Sequence, residues 1–430
     1  MKLENSLTPD NINQNLLNIQ YAVRGPILQR AVQIERELEK GAPKPFECVV
    51  RANIGDSHAL GQKPVTFLRQ VAALAACPEL AGSAAVPEDV RLRAREILDD
   101  CTKGSVGAYS PSPGLRIVRS HVAKYIERRD GVPASPEDVY LGSGASDVIK
   151  AVLTMFVENV DGKPPAVMIP IPQYPLFSGT FSELGLRQAN YYLDEEHEWA
   201  LDVSELERSW REASEESHVR AIVVINPGNP TGQVLTRENI EVIIKFAYEH
   251  TLFILADEVY QENIVSKPFH SFKKVMHEMG APYSGMELAS FVTSSKGWAA
   301  ECGLRAGYVE LLRVQPRVLR AFSTARAVMQ CPTVLGQCIL DCVGSMFAYP
   351  RVSIPEKAQE AARDQDMSPD EFYCLRLLEE TGVCVIPGTG FGQLPGTFHF
   401  RTTILHPRKE FQHMMDSIRR FHHTFLQTYS

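Results

Sequence analysis

The sequence predicts an α/β fold, with a large domain built on a mostly parallel central sheet flanked by helices and a smaller α+β domain. Three observations carry this. Short apolar runs alternate with helical stretches from about residue 64 onward. Each run stops at a polar or Gly/Pro cluster, as buried parallel strands do where they open toward a ligand. The last hundred residues then lose the alternation and read as short strands between helices.

Taken in order, GPILQRAVQIEREL places Ile27, Leu28, Ala31, Val32, Ile34 and Leu38 near one face of a helix that ends before Gly41 and Pro43. VTFLRQVAALAA, PEDVRLRAREILDD and LRIVRSHVAKYIERR are further helices. DVYLGSGASDVIK reads as strand, turn and helix, and AVMIPIPQYP as an apolar run stopped by prolines. AIVVINPGNPTG is a buried strand opening into a Gly/Pro loop, TLFILADEVY a strand ending in Asp257, and ELASFVTSSKG a strand ending in Lys296, followed by RAGYVELL. Beyond these, MFAYPRVSIP, GVCVIPGTG and FGQLPGTFHFRTTIL resemble short strands around the helical DEFYCLRLLEE, and a closing helix runs from about Lys409 to Thr428. The expected division is an N-terminal arm with part of the small domain over 1–63, a large domain over 64–330 and a small C-terminal domain over 331–430.

Composition narrows the function. A chain of 430 residues, 44% apolar and 22% charged, is that of a soluble globular protein. Its 44 basic and 52 acidic residues leave a net charge of −8, which disfavours nucleic acid and anionic membrane as partners. Nine scattered cysteines show no CxxC or Cys/His metal spacing, so reduced thiols are expected. MKLENSLTPDNINQNLL has no signal-peptide core and is not an Arg-rich transit peptide, so a cytoplasmic location is the expectation.

The chemistry gathers where the strands run out. Lys296 follows Thr293, Ser294 and Ser295, and Arg305 stands nine positions later. A lysine desolvated at a strand end is a Schiff-base nucleophile, and hydroxyls with an arginine suit a phosphate; a structural lysine at a strand end is the plainer alternative. Gly144, Ala145 and Ser146 precede a helix whose first N–H groups attract anions, although a serine cap explains them equally. Asp257 ends an apolar run and needs a partner such as a protonated ring nitrogen. Tyr174 suits stacking on a planar ring, or simple packing. Asn229 sits between two prolines with its side chain free to point at a ligand. Together these supply what a pyridoxal phosphate site requires. GTGFGQ, residues 388–393, lacks the last glycine of a dinucleotide loop, and the histidines, His399, His422 and His423 included, show no metal spacing.

A larger set of motifs points further. YAVRGPI, RANIGD, TFLRQV, GAYSPSPG, GASD, PIPQYPLFS, YYLDEE, VINPGNPTGQV, LADEVYQEN, FHSFKK, SSKG with ECGLRAGYVE, FYCLRLLEETGVCVIPGTGFGQ and FHFRTTIL run from about residue 20 to the end. With them the chain resembles the alanine aminotransferase family, within the class I/II, fold-type I pyridoxal-phosphate aminotransferases whose architecture is that of aspartate aminotransferase. The resemblance implies pyridoxal 5'-phosphate as cofactor, Lys296 as the lysine joined to it, Asp257 as partner of the ring nitrogen, and Asn229 with Tyr260 at the phenolic oxygen. It further implies Tyr174 stacked on the ring and Gly144, Ala145, Ser146, Thr293, Ser295 and Arg305 around the phosphate. Tyr109 would reach the phosphate of a partner subunit, making a homodimer, and Arg401 would grip the substrate carboxylate. Arg24 is a further candidate cation for a dicarboxylate, with a buried structural ion pair as its alternative. The implied reaction is ping-pong, from L-alanine to pyruvate and from 2-oxoglutarate to L-glutamate.

Two departures from the family pattern stand out. Thr293 replaces the usual serine and keeps the hydroxyl. LGQCILDCV runs almost directly into GSMFAYPRV, where the family carries an interdomain helix and a second helical segment, on the order of fifty residues. The small domain is thus shortened around 343–344. That leaves two alternatives beside an active alanine transaminase: a catalytically impaired homologue, or a transaminase using another small donor such as glycine. A lyase on the same cofactor is disfavoured by ECGLR and YYLDEE.

Overall fold

The computed structural model describes residues 5–19, 26–49, 55–82, 86–264, 268–343, 347–348, 352–383, 385–387, 389, 396, 398, 400–403 and 408–429. The chain divides into two compact units, Met1–Gly344 and Ser345–Ser430.

The first unit is organised by a seven-stranded sheet. Its strands are β1 (Val139–Gly142), β2 (Pro165–Ile171), β3 (Arg187–Tyr192), β4 (His218–Ile225), β5 (Phe253–Asp257), β6 (Leu288–Thr293) and β7 (Gly307–Leu312), in the order β1-β7-β6-β5-β4-β2-β3. All neighbours are parallel except β7, which runs antiparallel to both β1 and β6. The near-continuous apolar runs follow from burial on both faces. In β2, β4 and β5, Val167, Ile169, Ala221, Val223, Phe253 and Leu255 join one cluster. Their alternating neighbours Ala166, Met168, Ile222, Val224, Ile254 and Ala256 join another on the opposite face.

Helices cover both faces for local reasons. Thr66–Ala76 buries Leu68, Val71, Leu74 and Ala75, a helical stripe that packs with Val90, Val118 and Ile339. Arg237–Glu249 starts at a capping box in which Thr236 and Asn239 satisfy each other's backbone N–H. Arg116–Asp130 stops at Gly131, whose φ of 70° a side chain would resist. The helix expected in GPILQRAVQIEREL spans Pro26–Glu39.

The second unit holds a small antiparallel sheet of β8 (Phe347–Ala348), β9 (Ile386–Pro387) and β10 (Phe400–Thr403), ordered β8-β10-β9. Helices Glu356–Arg363, Pro369–Thr381 and Arg408–Tyr429 accompany it, with a core of Phe372, Tyr373, Leu377, Phe400, Phe421 and Phe425. Among the described residues, Phe400 is opposite Pro387 and Arg401 opposite Ile386.

Candidate active site

The sheet gathers the candidate residues at one edge. Asp257 closes β5, the Asn226–Asn229 turn leaves β4, and Tyr174 follows β2. Because β7 is antiparallel, its starting end lies at the finishing ends of β1 and β6: Gly307 is opposite both Gly142 and Thr293. Arg305, just before β7, is thereby delivered to the turn after β1.

That turn is an anion cup. Helix Ala145–Leu153 begins after Gly144, and Arg305 donates through Nη2 to Ser146 Oγ at 3.2 Å and to the Ser143 carbonyl at 3.0 Å. Gly144 has φ of 92°, and a Cβ there would collide with the Arg305 guanidinium. A Cβ at Gly307 would lie 2.6 Å from the Ala145 nitrogen, so the helix end and β7 touch backbone to backbone. First-turn N–H groups of the helix, a hydroxyl and a guanidinium lie together, which is the donor set a phosphate monoester needs. Thr293 Oγ1 and Ser295 Oγ lie 3.2 Å apart at the finish of β6. Ser294 between them is fully buried and donates to the Ala306 carbonyl at 3.2 Å, a structural duty.

Strand β6 ends at Thr293, so Lys296 lies three residues beyond it, on a turn. The strand thus stops short of Lys296 rather than ending on it, and the turn beyond is held where Gly297, at φ of 66°, donates its N–H to Asn263 Oδ1 at 2.9 Å. Lys296 Nζ donates to the Gly55 carbonyl at 2.9 Å and lies 5.6 Å from the centre of the Tyr260 ring.

Asp257 is buried, with the Val259 N–H 3.3 Å from its Oδ1. Burial pushes its carboxyl up to about 7; the Val259 N–H opposes this and the neighbouring Glu258 adds to it. A carboxylate held so far from water calls for a cation, and a protonated ring nitrogen would supply one. Asn229 Nδ2 donates to Tyr260 Oη at 2.9 Å. Burial pushes the Tyr260 phenol up to about 12, with Asp257 contributing in the same direction and Asn229 against it. Tyr260 therefore keeps its proton and remains a donor.

Tyr174 is half-buried against the cluster containing Ala145, Phe177 and Ile225. Tyr109 stands apart, 72% exposed on a loop. Arg401 falls on β10 in the second unit and its side chain lies outside the described residues. Arg24, His399 and most of GTGFGQ lie outside them too. Three contacts escaped the sequence. Gly55 and Asn263 gave no local signal. Arg326, which pairs with Asp147 at the cup, is 179 residues from its partner.

Comparisons with known proteins identify the family. The family described as aminotransferase class I and II matches residues 76–340. Alanine aminotransferase 1 of Homo sapiens is 47% identical, covering 99% of this chain and 96% of that protein. Alanine aminotransferase 2 of Xenopus laevis is 45% identical over 99% of this chain and 88% of its own. A probable alanine aminotransferase of Dictyostelium discoideum, named mitochondrial, is 40% identical over 100% and 91%. Among solved structures, an alanine aminotransferase from Pyrococcus furiosus aligns with a TM-score of 0.61 at 20% identity, over 96% of this chain and all of that one. That likeness, and one to an Escherichia coli aminotransferase with a TM-score of 0.60, bears on the fold.

Proposed function

We propose an activity for a chain that belongs to the class I and II aminotransferases: transfer of the amino group of L-alanine to 2-oxoglutarate, giving pyruvate and L-glutamate by a ping-pong route. As a member of that family it is an aminotransferase that works with pyridoxal 5'-phosphate. The single observation that carries the assignment to this site is the buried Asp257 carboxyl, with no ion pair among the described residues, on the same sheet edge as Lys296 and the Arg305 cup.

When bound, the cofactor supplies a conjugated ring able to take up the electron pair left on the substrate Cα. The chain's residues do the rest. Lys296 Nζ would join the cofactor at its aldehyde and would serve as the base and acid for the substrate Cα proton. Asp257 would pair with a protonated ring nitrogen. Tyr260, its oxygen already accepting from Asn229, would have its O–H left for the phenolic oxygen. Gly144, Ala145, Ser146, Thr293, Ser295 and Arg305 would hold the phosphate, and Tyr174 would stack on the ring. Arg401 is our candidate for the substrate carboxylate. The exposed Tyr109 supports a homodimer in which it serves the partner's phosphate. Among the described residues no helix is long and apolar enough to cross a membrane, and we place the chain in the cytoplasm. We also keep the division into an arm (1–63), a cofactor domain (64–330) and a small domain (331–430).

The test is direct. The purified protein with added pyridoxal phosphate should develop a visible absorbance band that shifts on adding L-alanine, with pyruvate appearing in a lactate dehydrogenase assay. Borohydride followed by peptide mapping should leave a phosphopyridoxyl group on Lys296. Label elsewhere, or none, defeats the assignment. Uptake of colour with glycine in place of alanine as the better donor defeats the donor alone.

A second reading has its own observation. The alignment with the human protein spans 476 positions against 430 in this chain, so at least 46 positions, 476 minus 430, have no counterpart here. The family match stops at 340, just before the junction near 343–344. A catalytically impaired homologue would bind the cofactor and turn over no alanine.

A further inference from the structure

The phosphate end of the site contains an acid where an anion is to bind. Asp147 lies in the first turn of helix Ala145–Leu153, among the N–H groups that make the cup. Its Oδ2 accepts the Ser143 N–H at 2.9 Å, and a Cβ at Gly142 would lie 2.9 Å from that same oxygen, so the carboxylate is tucked under the turn. An unpaired negative charge there would oppose a phosphate dianion.

Arg326 removes that charge. It reaches across from helix Pro316–Val328, 7% exposed, and donates from Nη1 to Oδ1 at 2.7 Å and from Nη2 to Oδ2 at 2.9 Å. Its Nε is buried with no hydrogen-bond partner among the described residues, and both Nη groups go to Asp147. Burial works to raise the Asp147 carboxyl, but the Arg326 pair, the Ser143 N–H and the nearby Arg305 outweigh it and leave the acid below its ordinary range. Two arginines thus meet at the cup with different tasks. Arg305 faces the Ser146 hydroxyl, and Arg326 stands behind the helix end.

We infer that Arg326 is a positioning residue for the cofactor phosphate: pairing with Asp147 lets a carboxylate fix the Ser143–Gly144 backbone without presenting a free negative charge to the incoming dianion. This rests on the pyridoxal phosphate reading of the site. It separates from a plain inter-helix staple by its dependence on the charge of the ligand. A staple, once cut, loosens the site for any ligand alike. An uncovered carboxylate penalises the phosphate alone, and a neutral residue at 147 cures it.

The experiment titrates cofactor-free protein by absorbance and fluorescence with pyridoxal 5'-phosphate and, separately, with pyridoxal. It compares the wild type, Arg326→Met and the double variant Asp147→Asn/Arg326→Met. One uncovered charge beside a half-buried anion site should weaken pyridoxal phosphate binding about tenfold or more in Arg326→Met and change pyridoxal by less than about twofold. The double variant should return pyridoxal phosphate to within about threefold of the wild type. Equal losses for both ligands, or a loss that Asp147→Asn leaves in place, overturns the inference. If Arg326→Met does not fold, Asp147→Asn alone decides. It uncovers the Arg326 cation and should hold pyridoxal phosphate at least as tightly as the wild type, and weaker binding overturns the idea. A wild-type protein that takes up neither aldehyde overturns the cofactor site itself, an outcome distinct from all of these.

Discussion

Replacing Asp257 by asparagine should stabilise the cofactor-free protein, and only above a certain pH. The carboxyl moves from an ordinary value of 3.8 in the unfolded chain to about 7 in the fold, mainly through burial. Between those two values the folded state keeps a proton that the unfolded state has released. Stability therefore falls as pH rises from about 4 to about 7, and above that both states are ionised and the loss is complete. The full cost is about 4 kcal/mol. Asparagine has nearly the same shape and no charge to bury, so Asp257→Asn should match the wild type near pH 4 and exceed it by about 4 kcal/mol at pH 8. Urea unfolding of the two cofactor-free proteins across that range reads the gap directly. Taking the difference cancels most of what Glu258, Glu262 and Glu310 contribute, since burial raises these in both proteins. With pyridoxal phosphate bound the order should reverse, because the acid then has its cation and the amide has nothing to offer a protonated ring. A gap that stays constant with pH would refute the argument, and so would one that shrinks on going alkaline.

Other substitutions test neighbouring parts of the site. Gly307→Ala places a methyl 2.6 Å from the Ala145 nitrogen and 2.8 Å from the Gly144 carbonyl carbon; it should destabilise the protein by about 1–3 kcal/mol and loosen pyridoxal phosphate in a spectral titration. Lys273→Met strands Glu310, with which Lys273 pairs at 2.5 Å in the core, and should cost about 3–5 kcal/mol in urea unfolding, much of it recovered by adding Glu310→Gln. Tyr260→Phe removes the donor at the phenolic oxygen and should lower kcat roughly a hundredfold with the fold unchanged by circular dichroism.

What was legible in the sequence depended on how far apart the cooperating residues lie. The strands of the large sheet stood out because both faces are buried, so FILAD and LASFVT are apolar throughout and their polar ends are conspicuous. Strand β3 leaves no such mark because RQANYY sits at the sheet edge, where only Ala189 and Tyr191 are buried and the run has no apolar continuity. The cup was half legible. GSGAS announces itself locally, whereas the approach of Arg305 to it depends on β7 running antiparallel between β1 and β6, which no local pattern encodes. Arg326 was illegible for the same reason in stronger form: it sits among exposed neighbours on an ordinary helix, and only the fold reveals that its side chain is buried against an acid.

The positions missing relative to the human protein can be weighed on the same map. Every candidate for gripping the cofactor lies at or before Arg305, within the unit Met1–Gly344 that holds the seven-stranded sheet. Arg401, the candidate for the substrate carboxylate, lies in the unit after the junction. A defect caused by the shortening should therefore separate the two kinds of binding. Pyridoxal phosphate should be retained through gel filtration and labelled at Lys296 by borohydride, while saturation with L-alanine should require concentrations well above the roughly millimolar upper end of ordinary KM values. Measuring both on one preparation distinguishes the cases. A protein that loses the cofactor but, when kept supplied with it, saturates normally with alanine would mean that the shortening acts through the sheet, against this assignment of roles. Normal values for both would mean that the remaining residues of the second unit suffice.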